Sequence, residues 1–168
     1  MICRFSPLSQ VNIQSGRLLY DIPDASFRYE YLCVSEHTER YYLVFGKVEI
    51  AVDRATDKLV GCSCYNYWSS WVDCELSAPN CRTSNSLLVD CKLDAASGVG
   101  YELTGRPLPE YYSPSTGWYC VGDPDSEVGL AIEFASGCVA MLLDGVLIAI
   151  WLQPENWREL SAATLAHN

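Results

Sequence analysis

The 168-residue sequence predicts a mainly β protein, an antiparallel sandwich or highly curved sheet of about eight to ten strands with one C-terminal α-helix. First, Ser136-Gly137 and Asp144-Gly145 divide the longest apolar run, 128–152, into three pieces of strand length. Asp-Gly between apolar segments favours a hairpin because both positions tolerate positive φ. Second, strand-like pieces follow one another along the chain without an intervening helical pattern.

The same apolar run is a poor candidate for a membrane helix. Its longest piece without an acidic residue at its start, 138–152, carries Asp144 near the middle. It also falls short of the roughly 20 apolar residues that a bilayer requires. We therefore expect a soluble core and no membrane contact. Because both faces of the three strands are apolar, the C-terminal helix, the other hairpins or a dimer partner must cover one of them.

The N-terminal region predicts little regular structure before residue 27. Residues 1–25 contain Pro7, Gly16 and a turn sequence at 21–24, which leaves room for one short edge strand near 17–20. Residues 27–34 then alternate between aromatic or apolar and charged side chains. This alternation predicts a half-buried strand with Phe27, Tyr29 and Tyr31 on one face.

The clearest amphipathic strand is predicted over residues 41–53. It would place one apolar face opposite Lys47 and Glu49. The apolar face would consist of Val44, Val48, Ile50 and Val52. After a polar turn at 54–57, the chain is expected to return through 58–67 as a hairpin.

The middle of the chain predicts a second hairpin and then a long connection. The hairpin would join 71–76 to 87–93. Glycine and proline accumulate between residues 95 and 114, which indicates a surface loop. A short strand is expected at 118–121, before the acidic loop 122–127.

The C-terminal segment changes to a helical pattern. Pro154 suits the first turn of a helix, and Trp157, Leu160 and Thr164 recur at helical spacing. We expect one helix over 154–165 that packs Trp157 and Leu160 onto the sheet. The length fits a single globular domain spanning 1–168. An internal duplication stays open, because both halves contain an apolar hairpin but match poorly residue by residue.

The charge balance limits the classes of partner. The chain has 21 acidic and 11 basic residues, a net charge of −10. Such a surface repels nucleic acid and anionic lipid, since binding to phosphate depends on clustered Lys and Arg. The charge is compatible with simple solubility and with electrostatic steering toward a basic protein.

The cysteines predict free thiols and a cytoplasmic protein. Their number, nine, is odd, and residues 1–16 contain no continuous apolar segment that resembles a secretory signal. Zinc is not expected, because Cys62 and Cys64 are separated by one residue and no pair of C-x-x-C motifs follows. We therefore predict no cofactor.

The sequence also gives little support to an enzyme. The only histidines are His37 and His167, and neither lies in a pattern that activates a nucleophile. Asp73 and Glu75 could act as paired carboxylates only across a cleft that the sequence does not reveal. The acidic loop has the alternate spacing of a calcium loop but lacks its central glycine and distal glutamate.

Clustered aromatic and acidic residues form the best candidate site. Exposed Trp and Tyr are typical of binding surfaces, although the same rings could equally belong to the core at the ends of the sheet. The candidate partner-binding residues are Tyr67, Trp68, Trp71, Asp73, Glu75, Glu110, Tyr111, Tyr112, Trp118, Asp123 and Asp125.

Two functions are compatible with this surface. The leading hypothesis is a small acidic cytoplasmic protein that binds another, basic protein, as an inhibitor or immunity protein binds a toxin. The alternative is a β-domain in which Trp68, Trp71 and Trp118 stack on a sugar or similar small molecule. A homodimer is left open.

Overall fold

The computed structural model describes residues 3–8, 13–32, 38–77, 79, 81–84, 87–91, 94–124 and 129–166. Within them the chain is mainly β, with a curled half-barrel sheet and one C-terminal helix, which confirms the predicted fold class. These residues form fifteen strands, more than the eight to ten expected, and several of them are short. In chain order they are β1 (Arg4–Pro7), β2 (Gly16–Asp21), β3 (Ser26–Tyr31), β4 (Arg40–Phe45), β5 (Val48–Asp53), β6 (Lys58–Tyr65), β7 (Val72–Asp73), β8 (Cys81–Ser84), β9 (Leu87–Asp90), β10 (Gly100–Glu102), β11 (Glu110–Tyr112), β12 (Tyr119–Gly122), β13 (Leu130–Ala135), β14 (Cys138–Leu143) and β15 (Val146–Leu152).

The strands form two sheets, of eight and seven strands, whose central strands share one topology. In the first, β2 and β3 form a hairpin, β4, β5 and β6 form a meander, and β3 pairs antiparallel with β6. In the second, β11 and β12 form the hairpin, β13, β14 and β15 form the meander, and β12 pairs antiparallel with β15. Each meander also receives a parallel strand on its outer edge, β10 beside β4 and β8 beside β13. The shared strand order supports an internal duplication.

The connection between these two units exchanges strands between the sheets. Strand β7 pairs with β11 and β8 with β13, both in the second sheet. Strand β9 pairs with β1 and β6, and β10 with β4, all in the first sheet. The predicted hairpin between 71–76 and 87–93 is therefore wrong, because their strands belong to different sheets. Residues 95–114, expected as a loop, contribute the short strands β10 and β11.

The predicted strand 41–53 is two strands joined by a tight turn. Gly46 has a φ of 63°, and with Lys47 it turns the chain between Phe45 and Val48, which are paired. Val48, Ile50 and Val52 are buried, as predicted. Val44 is not on their face, because the turn pairs it with outward-facing Glu49. The turn shifts the inward–outward alternation by one residue, so β4 buries Tyr41, Leu43 and Phe45 instead.

The C-terminal meander confirms the prediction from its turn residues. Gly137, Asp144 and Gly145 all have positive φ, at 74°, 50° and 74°. The strands on either side of these turns pair antiparallel, with Met141 opposite Ala149. The first sheet, rather than the helix alone, covers the inner face of this meander. The main core accordingly combines residues of both sheets, including Phe27, Ile50, Leu59, Ile132, Phe134 and Ile150, with Leu160 of the helix.

A second, smaller core lies on the outer face of the second sheet. Leu76, in the segment after β7, is buried there. It packs with Cys120, Val139, Met141, Ala149 and Trp151. The residues after β7 therefore cover part of the outer face of this meander, for which the sequence allowed several covers. No helix in the described part of the chain is long and apolar enough to cross a membrane.

One pair of cysteines departs from the expected free thiols. Cys3 and Cys91 form a disulfide. The antiparallel register of β1 and β9 pairs Arg4 with Asp90. Cys3, which precedes Arg4, therefore lies next to Cys91, which follows Asp90. The sequence could not reveal this neighbour, since 88 residues separate the two thiols. Cys62, Cys64 and Cys138 are free thiols.

The helix α1 (Trp157–Leu165) lies within the predicted range 154–165 and begins three residues later. The residues before it cover the free edge of β2. The Tyr20 N–H donates to Asn156 Oδ1 at 2.9 Å, and Asn156 Nδ2 donates to the Tyr20 carbonyl at 2.8 Å. The Glu155 N–H donates to the Leu18 carbonyl at 2.8 Å. Asn156 thus imitates a neighbouring strand and blocks further pairing at this edge.

We predict that Asn156→Ala destabilises the protein by about 2 kcal/mol, because both backbone groups of Tyr20 lose partners in a partly buried position. The measurement is the free energy of unfolding in urea. Glu159→Ala, at an exposed helix position, is the control and should change stability by less than about 0.5 kcal/mol. Equal stabilities of the two variants would contradict the role assigned to Asn156.

Candidate functional site

A buried asparagine organises the polar side chains between the two sheets. Asn66 follows β6 and is only 3 % exposed. Its Nδ2 donates to Tyr119 Oη at 2.6 Å and to Glu110 Oε2 at 2.5 Å. Its Oδ1 accepts from Lys47 Nζ and from Ser70 Oγ, both at 3.1 Å. We call these five residues, Asn66, Lys47, Glu110, Tyr119 and Ser70, the Asn66 cluster.

The backbone of Asn66 is fixed as firmly as its side chain. Its N–H donates to the Ala25 carbonyl, and its carbonyl accepts from Tyr20 Oη, both at 2.8 Å. All the hydrogen-bonding groups of this residue therefore have partners in the protein. A buried polar residue with complete hydrogen bonding holds its surroundings in one arrangement, because any displacement would leave groups unsatisfied.

An ion pair joins the two halves of the chain at this cluster. Lys47 Nζ, in the turn between β4 and β5, lies 3.0 Å from Glu110 Oε1 at the start of β11. The carboxylate side chain is 10 % exposed, and the ammonium side chain is 49 % exposed. Asn66 contacts both partners and so fixes the geometry of an ion pair that would be weak in full contact with solvent.

The neighbours of Asn66 face solvent because of the strand alternation. Tyr65 is the last residue of β6, and its side chain is 82 % exposed. Tyr67 immediately precedes the 3₁₀ turn Trp68–Ser70, and its side chain is 70 % exposed. Since successive side chains of an extended segment point to opposite sides, the inward position of Asn66 directs both tyrosines outward.

Burial changes the acidity of the groups beneath this surface. Burial raises the pKa of the Cys64 thiol to about 12, and the charge of Glu110 acts in the same direction. Burial also raises the pKa of Tyr119 above its usual range, with Cys64 and Glu110 adding to the effect. Both groups stay protonated at neutral pH, so they serve hydrogen bonding rather than nucleophilic chemistry.

A cleft of about 460 Å³ adjoins the Asn66 cluster. It lies between the turn that carries Lys47 and the connection from β10 to β11. Charged residues of both signs line it, namely Lys47, Glu102, Arg106 and Glu110. Its volume is within the range of small-molecule sites, and Pro107 and Leu108 add apolar lining between the charged side chains.

The structure brings several predicted partner-binding residues to one edge of the second sheet. Strand β7 pairs with β11, so that Val72 is opposite Tyr111 and Asp73 opposite Tyr112. The residue before Tyr111 is Glu110, which binds Asn66. Tyr67, Trp68, Asp73 and Glu75 all lie on the segment that runs from Asn66 past β7. Asp73 and Glu75 are exposed, whereas Trp68 is half-buried.

Two of the predicted residues belong to the main core. Trp71 is 9 % exposed and Tyr112 fully buried. The Trp71 ring lies 4.9 Å from the rings of both Tyr112 and Tyr119, and it stacks on Phe27. Neither side chain can contact a partner in this structure. Of the two interpretations that the sequence left open for these rings, the core one applies to Trp71 and Tyr112.

The remaining predicted residues lie elsewhere. Tyr111 and Trp118 are half-buried on the outer face of the second sheet, where Trp118 packs edge-on against Trp151. Trp68, Trp71 and Trp118 therefore do not form a single stacking platform. Asp123 is exposed after β12, near the loop before Glu110. Asp125 lies outside the described residues.

Sequence reasoning missed the centre of this site. Asn66, Lys47 and Tyr119 were not predicted, although the inward position of an asparagine between two outward tyrosines follows from alternation once the strand is extended to residue 67. Among the described residues, no group of three or more His, Cys, Asp or Glu comes close enough together to hold a metal ion.

Comparison with known proteins adds no functional assignment. No family model matches the chain, and no curated protein matches its sequence. Its function has to be inferred from the geometry of the Asn66 cluster and the surface above it.

We predict that Asn66→Ala destabilises the protein by about 3 kcal/mol or more, because Glu110, Tyr119 and Lys47 each lose a hydrogen-bond partner near or below the surface. The measurement is the urea-derived free energy of unfolding. Ser70→Ala, which also removes a bond to Asn66 but at an exposed position, should cost less than about 1 kcal/mol. A loss below 1 kcal/mol for Asn66→Ala would show that the cluster does not organise this region.

Proposed function

We propose that this chain binds another protein through the exposed side chains of Tyr65, Tyr67, Val72, Asp73 and Glu75, and that the partner is basic. We call these residues the 65–75 surface. The observation that carries the proposal is the pair of tyrosines, 82 % and 70 % exposed, on a backbone that buried Asn66 holds in place.

The tyrosines support protein binding for two physical reasons. Tyr supplies a large contact area and a polar hydroxyl, and it is enriched among the residues that dominate binding energy. In addition, a surface whose backbone is already fixed loses less conformational entropy when it binds. Val72, which is 55 % exposed, adds an exposed apolar side chain in the same segment of the chain.

The charge of the surface supports a basic partner. No lysine or arginine occurs between Lys58 and Arg82, while Asp73 and Glu75 are exposed in this interval. The whole chain adds a net charge of −10. Attraction between such a surface and a cationic protein accelerates association, and it disfavours nucleic acids and anionic membranes.

A protein inhibitor of a basic toxin, such as an immunity protein, fits these requirements. Such an inhibitor has to bind its target quickly, and electrostatic steering raises association rates well above those of neutral pairs. It needs a preformed binding surface and no catalytic group. Two exposed tyrosines, with exposed Asp73 and Glu75 in the same segment, would supply that surface.

The test uses the immobilised protein to recover partners from the cells that produce it. We expect a basic protein whose binding weakens as salt is raised. Tyr67→Ala should weaken the affinity about tenfold, because it removes a central contact. The Asp73→Asn, Glu75→Gln double variant should slow association and reduce its salt dependence.

Matched variants distinguish this surface from general effects of charge and hydrophobicity. Asp90→Asn with Asp94→Asn changes the net charge equally at exposed positions on other elements, and Leu165→Ala removes an exposed apolar side chain of the helix. These controls should bind like the unaltered protein. Recovery of no specific partner, or equal losses in the controls, would overturn the proposal.

We also propose that the protein acts in the cytoplasm, since buried free thiols such as Cys62, Cys64 and Cys138 are usual where thiols are kept reduced. The Cys3–Cys91 disulfide is the opposing observation. The compartment can be tested by rapid acid quenching of the producing cells and alkylation of free thiols. A cytoplasmic protein should yield reduced Cys3 and Cys91; a fully oxidised pair in cells would exclude this compartment.

A further inference from the structure

Two free thiols face each other across the interface between the sheets. Cys62 lies on β6 of the first sheet, and Cys138 begins β14 of the second. Their side chains are hydrogen-bonded to each other. They are 2 % and 0 % exposed, and both belong to the main core.

The contacts of Tyr29 place the chain beside Cys62 near the turn that precedes Cys138. Its ring lies against Gly61, the residue before Cys62, where an added Cβ would be 2.8 Å from Tyr29 Cγ. Its hydroxyl accepts from the Ser136 N–H at 3.2 Å, two residues before Cys138. A single side chain thus spans from the chain beside one cysteine to the turn that precedes the other.

We propose that Cys62 and Cys138 are a site of disulfide formation that cross-links the two sheets when the protein folds in the presence of a low-molecular-weight disulfide. This inference is independent of the proposed binding function. The bond would join residues 76 positions apart in sequence, one from each of the two topologically equivalent units. Cys64, two residues further along β6, has other neighbours, namely Tyr119 and Glu110.

The reaction is ordinary thiol–disulfide exchange. The thiolate of one cysteine attacks the oxidant, which forms a mixed disulfide and releases one thiol. The second cysteine, as thiolate, then attacks the protein sulfur of that mixed disulfide and releases the other thiol. The two cysteines lose two electrons and two protons in total, and the oxidant is reduced to two thiols.

Burial determines when this exchange can take place. It raises the pKa of Cys62 well above its usual value, so the thiolate is scarce in the folded protein. The closed interface also excludes the oxidant. The cross-link should therefore form while the sheets come together during folding, and only slowly in protein that has already folded in the reduced state.

The test is refolding of the reduced, unfolded full-length chain in a buffer of oxidised and reduced glutathione, followed by alkylation of free thiols. A protease that cleaves before aspartate separates the relevant cysteines. It yields fragment 57–72, with Cys62 and Cys64, and fragment 125–143, with Cys138 as its only cysteine. We expect these two fragments as one species that reduction separates. Linkage of 1–20 to 90–93 reports the Cys3–Cys91 bond and serves as the internal control.

Variants identify the bonded thiol within fragment 57–72. Cys62→Ala and Cys138→Ala should each abolish the linked species, whereas Cys64→Ala should retain it. If an alanine variant does not fold, fragmentation of the linked species from the unaltered protein decides between Cys62 and Cys64. Absence of the link in unaltered protein that has formed the Cys3–Cys91 bond, or a link through Cys64, would overturn the proposal.

A stability measurement provides a second readout. In a Cys3→Ala background, oxidative refolding should raise the thermal unfolding midpoint by roughly 10 °C over the same protein in reductant, since the cross-link restricts the unfolded chain. Equal midpoints in the two conditions, with the linked fragments present, would show that the bond does not stabilise the sheet interface.

Discussion

The fold depends on one constraint: neither half of the chain can cover its own apolar sheet face. Both halves build a hairpin joined to a three-stranded meander, and each presents large apolar side chains on its inner face, such as Ile50 in the first and Ile150 in the second. Packing the two inner faces together removes both from water, which is the dominant favourable term in folding. The strands of the connecting segment then pair with strands of both sheets and interlock them.

This arrangement explains what the sequence could and could not predict. The C-terminal meander was predictable because its turns, Gly137 and Asp144-Gly145, are local signals that fix the strand register themselves. The strand over 41–53 was misjudged because Gly-Lys is a weaker turn signal than Asp-Gly, and a two-residue turn leaves the apolar pattern nearly unbroken. The partners of β7 and β9 and of Cys3 could not be predicted, since they depend on strand exchange over long sequence separations.

The residues of the candidate site were likewise predictable only in part from the sequence. Glu110 and Tyr67 were identified from composition, because clustered aromatic and acidic residues are recognisable without knowledge of the fold. Which aromatic rings are exposed could not be derived, since adjacent residues of a strand face opposite sides. Tyr111 and Tyr112 illustrate this: one lies on the outer face of the second sheet and the other is buried between the sheets.

Asn66 connects the constraint on the fold to the surface proposed for binding. Apolar side chains would fill its position without the cost of removing an amide and most of the Glu110 carboxylate from water. The protein instead keeps a polar cluster that joins the Lys47 turn of the first sheet to Glu110 of the second. Replacing the whole cluster by apolar side chains would cost little stability, although removing one member is costly. The cluster strongly restricts geometry, because only one arrangement satisfies its hydrogen bonds. Its location directly beneath Tyr65 and Tyr67 is thus better explained by the need to hold a surface in one shape than by the stability of the core.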